Sequence, residues 1–152
     1  MLFKYVEEPH NKFNRDEVLL PVRMTGHSAG YDMYSNEEKI LEPGQQHLFW
    51  TDVKVYLNNN EFLMLLPRSS IGIKYNLMLA NTVGIIDSDY YENPDNDGNI
   101  GICLYNYGNK AVKVEKGMRI AQAIPMNYID YTEGIGEHGI KRYGGFGSTG
   151  RD

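Results

Sequence analysis

A single cysteine, Cys103, stands in a chain of 152 residues, so no internal disulfide can form and packing must hold the fold. That usage suits a reducing cytoplasm, of the cell or of a host, and this is the compartment expected here. No apolar run reaches the ~18 residues of a membrane-spanning helix, and no membrane partner is expected. Met1 to Asn14 carry acids, Pro9 and His10 where a secretory leader needs an apolar stretch, so no leader is expected. Basic charge is short as well: 15 Lys and Arg face 20 Asp and Glu, a net charge of −5. Nucleic-acid binders present a basic patch, so no nucleic-acid partner is expected. Four scattered histidines (His10, His27, His47, His138) make no HExxH pair and have no cysteine partner, which removes the usual zinc patterns.

The acidity that is present sits in one place. Asp87, Asp89, Glu92, Asp95 and Asp97 fall within eleven residues that hold no Lys or Arg, and elsewhere fifteen acids balance fifteen bases. Helical periodicity is scarce. Short apolar or alternating runs predict strands at Val18–Met24 (with Pro21, an edge), Gln46–Leu57 with a bulge at Thr51-Asp52, Glu61–Leu66, Leu77–Thr82, Asn99–Tyr107, Ala111–Glu115 and Met118–Asn127. Asn106-Tyr107-Gly108-Asn109 reads as a hairpin turn. Only Ser69–Tyr75 suits a short helix. Such spacing indicates an all-β sandwich or barrel. The final stretch differs: seven of the 16 glycines lie between Gly134 and Gly150, a composition that is flexible in isolation. The expected division is a β domain over 1–132 and a flexible C-terminal arm over 133–152.

Two segments carry chemistry. Pro67-Arg68-Ser69-Ser70-Ile71-Gly72 leaves a strand and enters the helical turn, where hydroxyls, free amides and an arginine suit an anion as well as they suit simple capping. Gly84-Ile85-Ile86-Asp87-Ser88-Asp89-Tyr90 puts Asp87 directly after two β-branched residues, at a strand end, where a half-buried carboxylate can serve as a general base or merely cap a turn. Cys103 reads as a small core residue, and the lone Trp50 as core or subunit interface.

Taken in order, five segments resemble the motifs of the trimeric deoxyuridine triphosphate nucleotidohydrolases, the dUTPases. They are Ala29-Gly30-Tyr31-Asp32-Met33-Tyr34-Ser35, Pro67–Gly72, Asn81-Thr82-Val83 running on through Gly84–Tyr90, Gly117-Met118-Arg119-Ile120-Ala121-Gln122, and Arg142-Tyr143-Gly144-Gly145-Phe146-Gly147-Ser148-Thr149-Gly150. The resemblance implies a jelly-roll-like β-barrel with one short helix, assembled as a homotrimer whose three active sites are shared between subunits. One subunit would supply the first, second and fourth motifs, a neighbour the third, and the remaining subunit the glycine-rich arm that closes over the nucleotide.

The resemblance also implies roles. Asp87 matches the base that activates a water for attack on the α-phosphorus of dUTP, giving dUMP and pyrophosphate. Tyr90 matches the aromatic that packs on deoxyribose, and Asn81 with the backbone through Gly84 matches the uracil pocket. Arg68, Ser69, Ser70 and Gln122 match phosphate contacts. Phe146 matches the ring stacked on uracil, with Gly147, Ser148 and Thr149 beside it toward the γ-phosphate. Arg142 stands four residues before Phe146, where the family commonly places its arginine five before, so either Arg142 or Lys141 serves the γ-phosphate. Mg²⁺ is implied as cofactor, held by the phosphates and water with no direct protein ligand, and Asp32 near its hydration shell. The rival of the same fold is a dCTP deaminase, which uses a glutamate where this chain has Asp87. The segment 91–97 replaces the usual short turn after Tyr90. It reads as a solvated hairpin extension pointing away from the phosphates, or as an acidic site for a regulatory protein partner of the kind that phage-type relatives bind.

Overall fold

Short runs of β-branched and long apolar side chains, cut every few residues by Gly, Pro and Asn, give the chain eleven strands and one α-helix among its described residues, 1–129 and 144–145 of a computed structural model. The strands are β1 Leu2–Tyr5, β2 Tyr31–Tyr34, β3 Lys39–Leu41, β4 Gln46–Trp50, β5 Val53–Tyr56, β6 Glu61–Leu66, β7 Leu77–Leu79, β8 Gly84–Asp87, β9 Gly101–Asn106, β10 Val112–Val114 and β11 Arg119–Asn127. The helix α1 spans Ser69–Tyr75. No helix among these residues is long and apolar enough to cross a membrane.

All pairings are antiparallel. A four-stranded sheet runs β2-β11-β6-β8 and a three-stranded sheet β4-β9-β7, with β1-β5 and β10-β3 as two-stranded companions. This is the jelly-roll-like all-β architecture with one short helix that the motifs imply. One apolar cluster draws on all four sheets, with Met33, Phe49, Val55, Leu63, Leu104 and Ile120 all buried and Phe3 of β1 packed against it. Residues alternate cleanly along β9, where Ile102 and Leu104 face this core while Gly101 and Cys103 face outward. Burial pushes the Cys103 thiol pKa up, so the side chain is a weak nucleophile at neutral pH.

Three expectations need correction. Val18–Met24 is not a strand: it contributes one isolated bridge, Val22 to Asp32, because Pro21 removes a ladder donor. The break at Thr51-Asp52 is not a bulge within one strand but a corner between sheets, since β4 pairs with β9 while β5 pairs with β1. Asp52 makes the corner in the left-handed region (φ 50°), and its buried carboxylate accepts from the backbone N–H groups of Lys12 and Phe13 and from the Asn99 amide. Likewise, Asn106–Asn109 joins strands of different sheets rather than closing a hairpin. Asn106 donates to the carbonyls of Leu41 and Lys110, which ties the corner across the chain.

Candidate active site

The strand β6 ends where Pro67 cannot continue it, and Arg68 then caps α1 in extended conformation. This sends the Arg68 side chain toward β2. Its Nε donates to Asp32 Oδ1 at 2.8 Å, and Arg119 Nη1 donates to Asp32 Oδ2 at 3.1 Å. Asp32 is buried, so both carboxylate oxygens are engaged by guanidinium groups in a partly desolvated setting, where charge-assisted bonds are strong. These three residues, with Ser69, Gly30 and Gln122, line a notch of about 360 Å³. Two arginines against one carboxylate leave the notch with one net positive charge. Arg68 also reaches Ser70 Oγ, at 3.4 Å.

Arg119 was outside the set of site residues expected above, and the reason is geometric. Strict alternation along β11 would put residues 119 and 122 on opposite faces. The register slips by one residue between Arg119 and Ala121, so that Arg119 pairs with Tyr34 while Gln122 pairs with Asp32. Ile120 and Ala121 both turn inward at this bulge, and Arg119 emerges on the face of Asp32 and Gln122. Gly30 completes the notch by close approach: a Cβ there would lie 2.9 Å from Gln122 Oε1.

A second and larger recess, about 570 Å³, opens between β8 and the outer face of β4 and β9. Asn81, Gly84, Ile86 and Tyr90 line it together with Leu48 and Cys103. It is mostly apolar, with Asn81 in the turn before β8 and Gln46 on β4 among its polar groups. Thr82 in that turn adopts φ 63°, a costly conformation for a β-branched residue, held by hydrogen bonds from Thr82 N–H to Leu79 O (2.9 Å) and from Val83 N–H to Asn81 O (2.7 Å). Asp87 ends β8, half-buried, one residue past Ile86 and three before Tyr90.

The two recesses lie apart on one chain. Asp32 and Asp87 stand on the two edge strands of the four-stranded sheet, three interstrand steps of ~4.8 Å apart and offset by four residues of ~3.3 Å, which separates their backbones by ~19 Å. Of the expected residues, Asp32, Arg68, Ser69 and Gln122 line the notch and Asn81, Gly84 and Tyr90 the cleft, while Ser70 and Asp87 line neither. Arg142, Phe146, Gly147, Ser148 and Thr149 lie outside the described residues.

The acidic segment after Tyr90 is not a hairpin. It is a self-bonded turn in which Asn93, almost fully buried, donates to Tyr90 O and accepts from the N–H groups of Asp95 and Asn96. Two of its acids face a base: Lys54 Nζ lies 2.8 Å from Asp97 Oδ2 and 3.3 Å from Glu92 Oε1. Burial pushes the Lys54 ammonium pKa down, and the bonds and charges of Asp97 and Glu92 outweigh it, leaving the pKa above 10.5. Glu92, bonded to Tyr91 and Lys54, is held below the usual carboxylate value of 4.5.

An antiparallel jelly-roll-like domain with a cationic notch and a separate, mostly apolar cleft has the parts needed to hold an anionic ligand with an apolar body. The comparison with known proteins narrows this. The dUTPase family model matches residues 16–150, and the chain belongs to the dUTPase family. It is 39% identical over 139 residues to the deoxyuridine 5′-triphosphate nucleotidohydrolase of Lactococcus lactis subsp. lactis, covering 91% of this chain and 93% of that one. The enzyme of the same name from Clostridium tetani is 36% identical over 143 residues, covering 92% and 94%. Among solved structures, the dUTPase of Streptococcus mutans superimposes with a TM-score of 0.75 at 36% identity, covering 84% of this chain and 95% of that one.

Proposed function

We propose that the protein is a dUTP diphosphatase, converting dUTP to dUMP and pyrophosphate, that acts as a homotrimer with shared sites. Membership of the dUTPase family carries the activity, and the placement of Asp32 and Asp87 on opposite edges of one sheet, about 19 Å apart by strand spacing, carries the shared-site reading. A water activated by Asp87 must attack a phosphorus that the Arg68 notch also helps to hold. A chain that keeps its base so far from its own phosphate notch needs another chain's notch to complete the site. The separation supports a division in which β2, α1 and β11 of one subunit meet β8 and Tyr90 of a neighbour; the family resemblance adds Arg142 or Lys141, Phe146, Gly147, Ser148 and Thr149 of the arm from the remaining subunit.

Within that site each group has a chemical task. The turn from Asn81 to Gly84 offers backbone groups to the edge of uracil, and a pocket built on hydrogen bonds rejects a base that leaves them unpaired. Tyr90 packs on the sugar where a 2′-hydroxyl would stand. Asp87 takes the proton of the attacking water. Arg68, steadied by Asp32, grips phosphate oxygens with Ser69, Ser70 and Gln122, and pyrophosphate leaves with its charge already neutralised. Mg²⁺ supplies charge neutralisation on the phosphates when bound. The donor set fits an ion that arrives on the substrate, because a direct bond to Asp32 would have to displace Arg68 or Arg119. Asp32 then acts mainly by orienting Arg68.

A product assay with Mg²⁺ and dUTP, dCTP, UTP and dTTP tests the reading. Release of dUMP and pyrophosphate from dUTP alone is expected. Ammonia released from dCTP would make the protein a deaminase of the same fold and overturn it.

A further inference from the structure

The inserted turn after Tyr90 has no part in the proposed reaction, yet two of its asparagines, Asn93 and Asn96, bond directly to Tyr90. Tyr90 is buried, and its hydroxyl donates to the carbonyl of Asn99 and accepts from Asn96 Nδ2, both at 2.8 Å. Asn96 is itself fixed, because its Oδ1 accepts from Gly98 N–H at 3.0 Å and from Asn93 Nδ2 at 2.8 Å. The same Asn93 amide donates to the backbone carbonyl of Tyr90 at 2.8 Å. The turn thus holds Tyr90 at both ends, by its main chain and by its phenol oxygen. Its foot is anchored in turn, since Asp97 accepts from Lys54 and from the backbone N–H of Glu7 (2.8 Å). Gly98, at φ 79°, lets the chain pass where a Cβ would fall 2.9 Å from Tyr90 O. A solvated loop needs none of this.

We infer that the turn 91–98 is a clamp on the Tyr90 ring and that Asn96 is the residue through which it sets discrimination at the sugar. The inference rests on the reading of Tyr90 as the surface against deoxyribose. A ring held at its hydroxyl cannot swing aside, so an added 2′-hydrogen-bonding group meets a fixed wall. A ring held only at its base can tilt and admit it. Asn96 is a positioning residue: its side chain reaches the cleft only by way of Tyr90.

The test compares kcat/KM for dUTP and for UTP in wild type, Asn96→Ala, Tyr90→Phe and the double variant. Loss of one such hydrogen bond should lower the dUTP-to-UTP preference about five- to tenfold, with kcat for dUTP in Asn96→Ala within about twofold of wild type. Tyr90→Phe leaves the bonds inside the turn intact and removes only the hydroxyl, so it should lose preference too, even if Asn96→Ala folds poorly. In the Tyr90→Phe background, Asn96→Ala should change the preference no further. An unchanged preference in both single variants, or additive losses in the double, overturns the clamp while leaving dUTP hydrolysis intact. Failure of the wild type to hydrolyse dUTP overturns the functional reading itself, and the clamp's role with it.

Discussion

Replacing Lys54 by methionine keeps the length of a buried side chain and removes only its ammonium. The Lys54 side chain is 4% exposed, that of Asp97 14% and that of Glu92 53%. Stranding one member of a fully buried ion pair costs about 3–5 kcal/mol. Glu92 stands half in water and adds almost nothing. Asp97 keeps the N–H of Glu7, so the expected loss is about 2–3 kcal/mol. In a chain of this size that lowers Tm by about 5–10 °C. Calorimetry at one fixed protein concentration reads it, because subunit association adds a concentration-dependent contribution. Lys54→Met combined with Asp97→Asn strands neither charge and should recover at least half of the loss. A Lys54→Met protein that melts within about 2 °C of wild type, or a double variant no more stable than the single, refutes the reasoning.

The same pair sets a pH dependence. The folded-state pKa of Lys54 is raised, so its contribution is complete below 10.5 and disappears as pH climbs through the folded value. The Tm gap between wild type and Lys54→Met should narrow above that pH; a gap constant from about pH 8 to 11 contradicts it. Asp87→Asn should abolish dUMP release while a non-hydrolysable dUTP analogue still binds in calorimetric titration, and turnover near the wild-type rate removes Asp87 as the base. Asp32→Asn frees Arg68 from a charged partner and should raise KM about tenfold with a smaller effect on kcat, read from initial rates; an unchanged KM means Arg68 needs no such support.

Much of the architecture was readable where local chemistry and tertiary packing agree. Glu61–Leu66 and Ser69–Tyr75 form as strand and helix at the bounds their patterns predict, because Pro67 forces the change between them. The short strands β1, β2 and β3 carry too few residues to show a period, and only their partners make them strands. Asp52 looked like an interruption because alternation is blind to which sheet a strand joins. Asp32, Arg68, Ser69 and Gln122, drawn from three separated motifs, line one notch. Arg119 escaped because a bulge changes which face a residue occupies without changing the letters around it. The acidic turn misled for another reason. Its charge suggested solvent, while Lys54, far away in sequence, supplies the counter-charge that folds it inward.

The distance between the two edges of the four-stranded sheet has a genetic consequence under the shared-site reading. A chain spoiled at Asp87 still lends its neighbours a sound notch, and a chain spoiled at Arg68 still lends a sound base. Co-expressed, two inactive alleles of this kind would rescue one another in mixed assemblies. Within such an assembly a lesion silences the site to which the damaged face was lent, not every site that contains the damaged chain.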